Sequence, residues 1–504
     1  MDGTRVKIIR EINTWIKNPE ASPIFWLTGM AGTGKTAIAW TICSCASKDP
    51  DIVLGGTFFC SRSTGLVAQR DVRCVIPTLA QLLARQSTLF GEALAAELAR
   101  DPDVVHKQVG AQVEQLLYIP LLALKDSPVP ILFVIDALDE CSEQTTNSGS
   151  DGGQAHRMIS AMLEALVAIS RSVVNLPVKF LVTSRPETHI RDTPVSDIAF
   201  STVLRLHTVD KEQVQEDIRL YISTRLSSNQ QLRTRFRGDD VDRLARLCDS
   251  LFIVAATALQ HILSAGIDTA VLRLQTLLDT SRDGCITAAV APVDRMYALI
   301  LAEAARVEKA RTEIDELGDL RQLLAALLCA RRTLSIAALA DLLNRPKDQV
   351  RSSLSRLHAV VHVPEDDEWP GLCSLHASFG DYLFGRAPSP IRISESLGDE
   401  VLARACLHVM AKRLRFNVSQ SHTSCERNIR SEPKNIPLSL KYACLQWIYH
   451  VSGIPEPRGL DTDINVIFRP RFLFWLEVTS VLDRVGRACA MLLYAASMVS
   501  DCYS

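Results

Sequence analysis

With 504 residues, 47% of them hydrophobic and 22% charged, the chain has ordinary globular composition and the length of about three domains. A net charge of −2 excludes a general electrostatic pull toward nucleic acid or an anionic membrane, so either partner would need a local patch. Fourteen cysteines without a Cys-x-x-Cys or a zinc-finger spacing, no apolar signal core and no apolar run of about 18 residues predict a cytoplasmic protein with reduced thiols.

The first element is a helix over Arg5 to Lys17 with an apolar stripe at Val6, Ile9, Ile12 and Ile16. A short strand at Ile24 to Leu27 then runs into Gly29-Met30-Ala31-Gly32-Thr33-Gly34-Lys35-Thr36. This is a phosphate-cradling loop: successive backbone N–H groups face phosphate oxygens, Lys35 reaches the β- and γ-phosphates, and Thr36 ligates Mg²⁺. Ala37 to Ala46 is a helix whose N-terminus faces the anion. Cys43 and Cys45 fall on diverging faces of it and make no metal site.

Further strands are expected at Thr57 to Cys60, Ile131 to Ile135, Phe180 to Thr183 and Val203 to Leu206, with helix-length segments between them. Such alternation predicts an α/β core, a parallel sheet covered by helices. Asp136 ends the most apolar run, where a metal-supporting carboxylate belongs, and Asp139 and Glu140 follow at the spacing of acids that orient a water. The polar stretch from Cys141 to Gln154 reads as a surface loop, and its Gly152-Gly153-Gln154 stands on the wrong side of the acidic strand for an ABC signature. At the end of the next strand, Pro186 keeps Arg185 out of helical geometry, so its guanidinium can turn back to sense a γ-phosphate.

Beyond residue 210 helical periodicity dominates, at Val241 to Cys248, Leu251 to Leu259, Leu320 to Ala330 and Leu334 to Asn344, and again at Ala488 to Val499. Two short helices around Asn344-Arg345-Pro346, then alternation at Val360 to Val363, outline a winged-helix unit. Its second helix carries only Lys347, Arg351 and Arg356 and opens with Asp348, which favours a structural role over DNA binding. The last 120 or so residues are helical, with Trp447 and Trp475 and no internal period of about 20 to 50 residues. No Asn-Lys-x-Asp guanine-reading motif is present. A small-molecule phosphotransferase and a non-hydrolysing nucleotide-binding scaffold stay open as alternatives.

Gly29 to Thr36, Ile135-Asp-Ala-Leu-Asp-Glu-Cys141 and Thr183-Ser-Arg-Pro-Glu187 together resemble the NACHT family of STAND signal-transduction P-loop NTPases, in its fungal NOD-like receptor form. Thr57 to Arg62, Pro77 to Leu83, Leu251 to Thr257 and Leu375 to Phe379 extend the likeness. The resemblance implies an N-terminal linker helix at 1–22, a nucleotide-binding domain at 23–210, a small helical domain at 211–290, a winged-helix-like domain at 291–390 and a helical region at 391–504. It implies a switch with slow NTPase activity in intracellular signalling or self/non-self defence. ADP would hold a closed monomer, and ATP would open it for self-oligomerisation and contact with an effector protein.

On that footing Gly29 to Thr36 would bind ATP or ADP, and Thr36 and Asp136 would hold Mg²⁺. Asp139, Glu140 and Arg185 would serve hydrolysis, and His376 would touch the β-phosphate of ADP in the resting form. No nucleic-acid or membrane partner is expected. Two departures stand out. Relatives often carry glycines where Asp249 and Ser250 stand, and the 28 residues before Gly29 leave no room for an effector domain, which suggests a truncated, decoy or split form.

Overall fold

The computed structural model describes residues 3–62, 67–141, 152–172, 176–186, 201–227, 235–236, 238–279, 291–309, 316–420, 436–455, 460–486, 488–489 and 491–493. It contains two compact units, one of Met1–Arg62 and Leu66–Val293, the other of Asp294–Ser504.

The first unit begins with helix α1 (Val6–Lys17), strand β1 (Ile24–Thr28), helix α2 (Lys35–Ala46) and strand β2 (Val53–Phe59). Helix α3 (Val75–Ala84), strand β3 (Ile131–Asp136), helix α4 (Gly152–Ser172), strand β4 (Val178–Ser184) and strand β5 (Ser201–Arg205) follow. The five strands pair in the order β2-β3-β4-β1-β5, and every neighbouring pair is parallel. Parallel neighbours need crossovers long enough for helices, and those helices cover both faces.

Period-two alternation divides the core. Leu132 and Val134 of β3 pack with Phe25, Leu27 and Leu181 against Ile12, Ile16, Ile38 and Ile42. Ile131, Phe133 and Ile135 face the other way, with Phe180, toward Leu79, Ile159, Met162 and Leu166. All six residues of β3 are buried, and each large side chain there contributes about 1.5–3 kcal/mol of apolar burial.

The expected strands are present with shifted ends: β5 is Ser201–Arg205 rather than Val203 to Leu206, because Leu206 opens a short 3-10 turn. Strand β2 starts four residues before Thr57, because Gly55 and Gly56 hide it from propensity while doing a packing job. A Cβ on Gly56 would lie 3.2 Å from the Leu79 backbone, so the glycine lets α3 approach the sheet closely. In α1 the buried stripe is Ile8, Ile12, Trp15 and Ile16, whereas Val6 is exposed and Ile9 only partly covered. The i, i+4, i+7, i+8 spacing that contains Trp15 buries more apolar area than the one that omits it.

Gly152-Gly153-Gln154 is not loop but the first turn of α4, drawn into the helix by the buried stripe of Ile159, Met162, Leu163 and Leu166. The remainder of that polar stretch, residues 142–151, lies outside the described residues, as does Glu187.

Helix α5 (Phe252–Leu263) completes the part of the unit that bears on the site. Asp249 and Ser250, just before it, have φ of 41° and 69°, the left-handed region that glycine enters without steric cost. The Ser250 hydroxyl is also buried without a hydrogen-bond partner. Ser250→Gly is therefore expected to stabilise the unit by about 1 kcal/mol, read as a higher thermal midpoint. An unchanged or lower midpoint would refute the strain assigned to Ser250.

In the second unit α6 (Ile336–Leu342), opened by a Ser335 cap, and α7 (Lys347–Ser355) are followed by the antiparallel pair Val361–His362 and Cys373–Ser374. This is the helix, turn, helix and strand pair expected from the sequence. Lys347 and Arg351 of α7 both pair with Asp367, and the Arg351 guanidinium also donates to the carbonyls of Pro364 and Glu365. Trp447 and Trp475 are buried in the helices Leu438–Ser452 and Leu460–Val481. The helix expected from Ala488 onward falls largely outside the described residues.

Candidate nucleotide-binding site

Because β4 lies between β1 and β3, the C-terminal ends of these three strands come together at one edge of the sheet. The phosphate loop leaves β1 there, Asp136 ends β3, and Thr183 to Arg185 end β4. In open α/β sheets this carboxyl edge is where ligands bind. Gly29 N–H donates to the Ser184 carbonyl at 3.3 Å, continuing the ladder into the loop.

Gly32 and Gly34 have φ of 78° and 93°, and Gly34 caps α2. A Cβ on Gly32 would lie 2.0 Å from Ile253 Cγ2, and Ile253 N–H donates to the Gly32 carbonyl at 3.1 Å. Lys35, the first residue of α2, is 9% exposed, and its Nζ donates to the carbonyls of Gly29 at 2.7 Å and Met30 at 3.1 Å. Burial pushes its pKa down, partly offset by Asp139. Met30 is exposed at the loop tip, and Thr33 donates its hydroxyl to the Met30 carbonyl at 2.9 Å.

Asp136 is 1% exposed. Its Oδ1 accepts the Thr183 hydroxyl at 2.6 Å, and Thr183 Oγ1 in turn accepts the Ala137 N–H at 2.9 Å, with Thr36 close by at the start of α2. Burial raises the Asp136 pKa, and the two threonine hydroxyls lower it. Ala137 adopts φ of 52°, which turns the chain sharply so that Asp139 and Glu140 return toward the edge.

Asp139, 5% exposed, receives Arg185 twice, from its N–H on Oδ1 at 2.9 Å and from its Nε on Oδ2 at 3.1 Å. Arg185 is thus positioned by Asp139, and the pair is neutralised locally. Glu140 Oε2 accepts the Arg62 N–H at 3.1 Å, and burial raises the Glu140 pKa. The Arg62 guanidinium donates to the Asp139 carbonyl at 2.6 Å, tying the acidic turn to the end of β2.

The structure therefore brings Gly29 to Thr36, Asp136, Asp139, Glu140 and Arg185 to one edge. His376 belongs to the second unit, where it caps a short helix, Ala377–Asp381. Its Nδ1 accepts the Ser378 N–H at 3.1 Å, and since that N–H can only donate, the neutral ring carries its proton on Nε2. Tyr297 Oη and Ser378 Oγ lie 2.8 Å apart, extending the network that orients the ring.

Three further residues were missed in the sequence. Thr183 orients Asp136, and Arg5 and Phe252 flank the loop. Arg5 is 4% exposed, with its guanidinium 5.0 Å over the Phe252 ring and Nη2 donating to the Thr33 carbonyl at 3.1 Å. Its Nε and Nη1 are buried without partners, and burial lowers its pKa. The available signal was Gly3-Thr4-Arg5 directly ahead of the apolar stripe of α1.

The residues fit a Mg²⁺–nucleotide. The Gly32 and Gly34 conformations leave backbone room for phosphates, Thr36 and Asp136 supply the hard oxygens that Mg²⁺ prefers, and Arg5 holds two unspent buried donors. Among the described residues no group of three or more His, Cys, Asp or Glu is arranged to hold a metal by itself. Mg²⁺ in such sites completes its shell with phosphates and waters. Also among the described residues, no helix is long and apolar enough to cross a membrane.

The chain is similar to several known proteins. The vegetative incompatibility protein HET-E-1 of Podospora anserina is 22% identical over 508 residues, covering 91% of this chain and 33% of the relative, so the chain spans about a third of that protein's length. Among solved structures, a STAND protein with a tetratricopeptide repeat sensor from Pyrococcus horikoshii aligns at 10% identity and a TM-score of 0.35, over 99% of this chain and 65% of its own. Drosophila ORC bound to DNA aligns at 13% identity and a TM-score of 0.35, over 77% of this chain and 97% of its own. The family model of the N-terminal region of nephrocystin 3 matches residues 3–185, which open just ahead of Arg5 and close on the arginine held by Asp139. With the phosphate loop, the acidic turn and the Arg185 strand end all inside that span, the family match and the likeness to HET-E-1 support assignment of this region to the NACHT/STAND P-loop NTPases.

Proposed function

We propose that this chain is a nucleotide-dependent molecular switch that binds ATP or ADP with Mg²⁺ and hydrolyses ATP slowly. The observation that carries the reading is the placement of Lys35, Asp136, Glu140 and Arg185 at one sheet edge, with Arg185 anchored on Asp139. Lys35 and the loop N–H groups would bind phosphates, and Thr36 and Asp136 would hold Mg²⁺, which when bound supplies charge neutralisation at the β- and γ-phosphates. Glu140 would orient the attacking water. Arg185, kept near the phosphates by Asp139, would report whether a γ-phosphate is present. Arg5 would donate to the nucleotide through the nitrogens it leaves unpaired beside Thr33.

The family likeness adds a resting ADP form and an ATP form that self-associates and engages an effector protein. His376 is the residue assigned to the β-phosphate of ADP in the resting form, and its protonated Nε2 is the donor that such a contact requires. The finer roles follow the same reading: intracellular signalling or self/non-self defence, with the helix-turn-helix of the second unit as a winged helix that contacts protein. Lys347 and Arg351 are committed to Asp367, which supports a partner other than nucleic acid.

The test is mass spectrometry of nucleotide released from purified protein, joined to size-exclusion chromatography with ATP. ADP near one per chain and an ATP-driven shift to larger assemblies are the expected results. A nucleotide-free chain that turns ATP over rapidly on a small acceptor, with no assembly, would reverse the conclusion in favour of a phosphotransferase.

A further inference from the structure

Cys60 follows β2 and Cys141 follows the acidic turn, and their Sγ atoms lie 3.1 Å apart, with the residues 5% and 3% exposed. Each is held by its backbone: Cys60 N–H donates to the Asp136 carbonyl at 2.9 Å, and Cys141 N–H to the Leu138 carbonyl at 3.1 Å. Only about 1 Å of closure separates this contact from a bond of about 2.05 Å.

We propose that Cys60 and Cys141 form a reversible disulfide, a modification site that pins the acidic turn and slows nucleotide hydrolysis when a peroxide is present. One thiol, as its thiolate, attacks hydrogen peroxide; the O–O bond breaks, a sulfenic acid forms and one water leaves. The second sulfur displaces the sulfenic oxygen, which departs as a second water with the remaining thiol proton. Two electrons pass from the sulfurs to the peroxide, and a dithiol returns them on reduction.

Burial selects the oxidant. A small uncharged peroxide suits a pair this enclosed, whereas glutathione disulfide must bring a bulky peptide to the sulfur.

The consequence runs through Arg62, two residues beyond Cys60. Its N–H holds Glu140 Oε2 at 3.1 Å, and its guanidinium holds the carbonyls of Asp139 at 2.6 Å and Glu140 at 3.4 Å. A covalent tie across the same two segments fixes the turn at its Arg62 contact, so that the Glu140 carboxylate can no longer adjust to the attacking water. The effect on hydrolysis rests on the role proposed for Glu140, whereas the crosslink itself does not.

Nucleotide-loaded full-length chain is treated with hydrogen peroxide, alkylated and peptide-mapped without reduction, and hydrolysis is followed in parallel. A Cys60–Cys141 crosslinked peptide, hydrolysis slowed about tenfold, and recovery of both on adding dithiothreitol are expected. Cys60→Ser and Cys141→Ala should each keep their untreated rate under peroxide. Absence of the crosslinked peptide in the natural chain overturns the site and leaves Glu140 untouched. A reversible crosslink with unchanged hydrolysis overturns the control of Glu140 while the disulfide stands.

Discussion

Lys35→Ala is expected to lower nucleotide affinity by about two orders of magnitude or more, so that the purified variant carries no nucleotide. The Lys35 ammonium is nearly buried and spends its donors on the carbonyls of Gly29 and Met30, so its desolvation has already been met before a phosphate arrives. A phosphate then needs only to displace carbonyls from a positioned cation. Removing it deletes a charge-assisted contact worth about 3 kcal/mol and strands two carbonyls in the loop. Nucleotide content by mass spectrometry and a fluorescent-nucleotide titration measure the effect, with circular dichroism to establish that the variant folds. Native stoichiometry in a folded variant would remove Lys35 from the phosphate site.

Glu140→Gln should leave nucleotide bound while slowing hydrolysis by about 10²- to 10⁴-fold. The replacement keeps the acceptor that Glu140 Oε2 offers the Arg62 N–H, so the turn retains its tie to β2. What is lost is the ability to take a proton from water. Asp139 cannot substitute, because both of its oxygens are engaged by Arg185. Single-turnover assays on preloaded protein separate chemistry from binding. An unaltered single-turnover rate would transfer the water-orienting role to another group.

Much of this architecture is legible in the sequence because it is local. Ile131 to Ile135 announces a doubly buried strand by its unbroken apolar run, and the phosphate loop announces itself by glycines whose positive φ at Gly32 and Gly34 admits few other residues. Strand order is not local. Nothing near Phe180 says that its strand will sit between β1 and β3, although that placement brings Arg185 to Asp139. Arg5 escaped notice because its meaning depends on Thr33 and Phe252, far away in the chain. The Gly55-Gly56 start of β2 reads as loop until Leu79 is known to lie against it. Asp249 and Ser250 adopt a left-handed backbone that their residue types do not announce.

The bond from Ile253 N–H to the Gly32 carbonyl makes α5 a lever with its fulcrum in the phosphate loop. Side-chain contact reinforces the coupling, since Gly32 and Ile253 are too close to admit even one added carbon. Helix α5 has 12 residues, an arm of about 18 Å at 1.5 Å per residue. A rotation of about 5° at the loop end would sweep the far end through about 1.5 Å, enough to re-register packed side chains there. A change in phosphate occupancy too small to disturb the sheet would then be legible at Leu263.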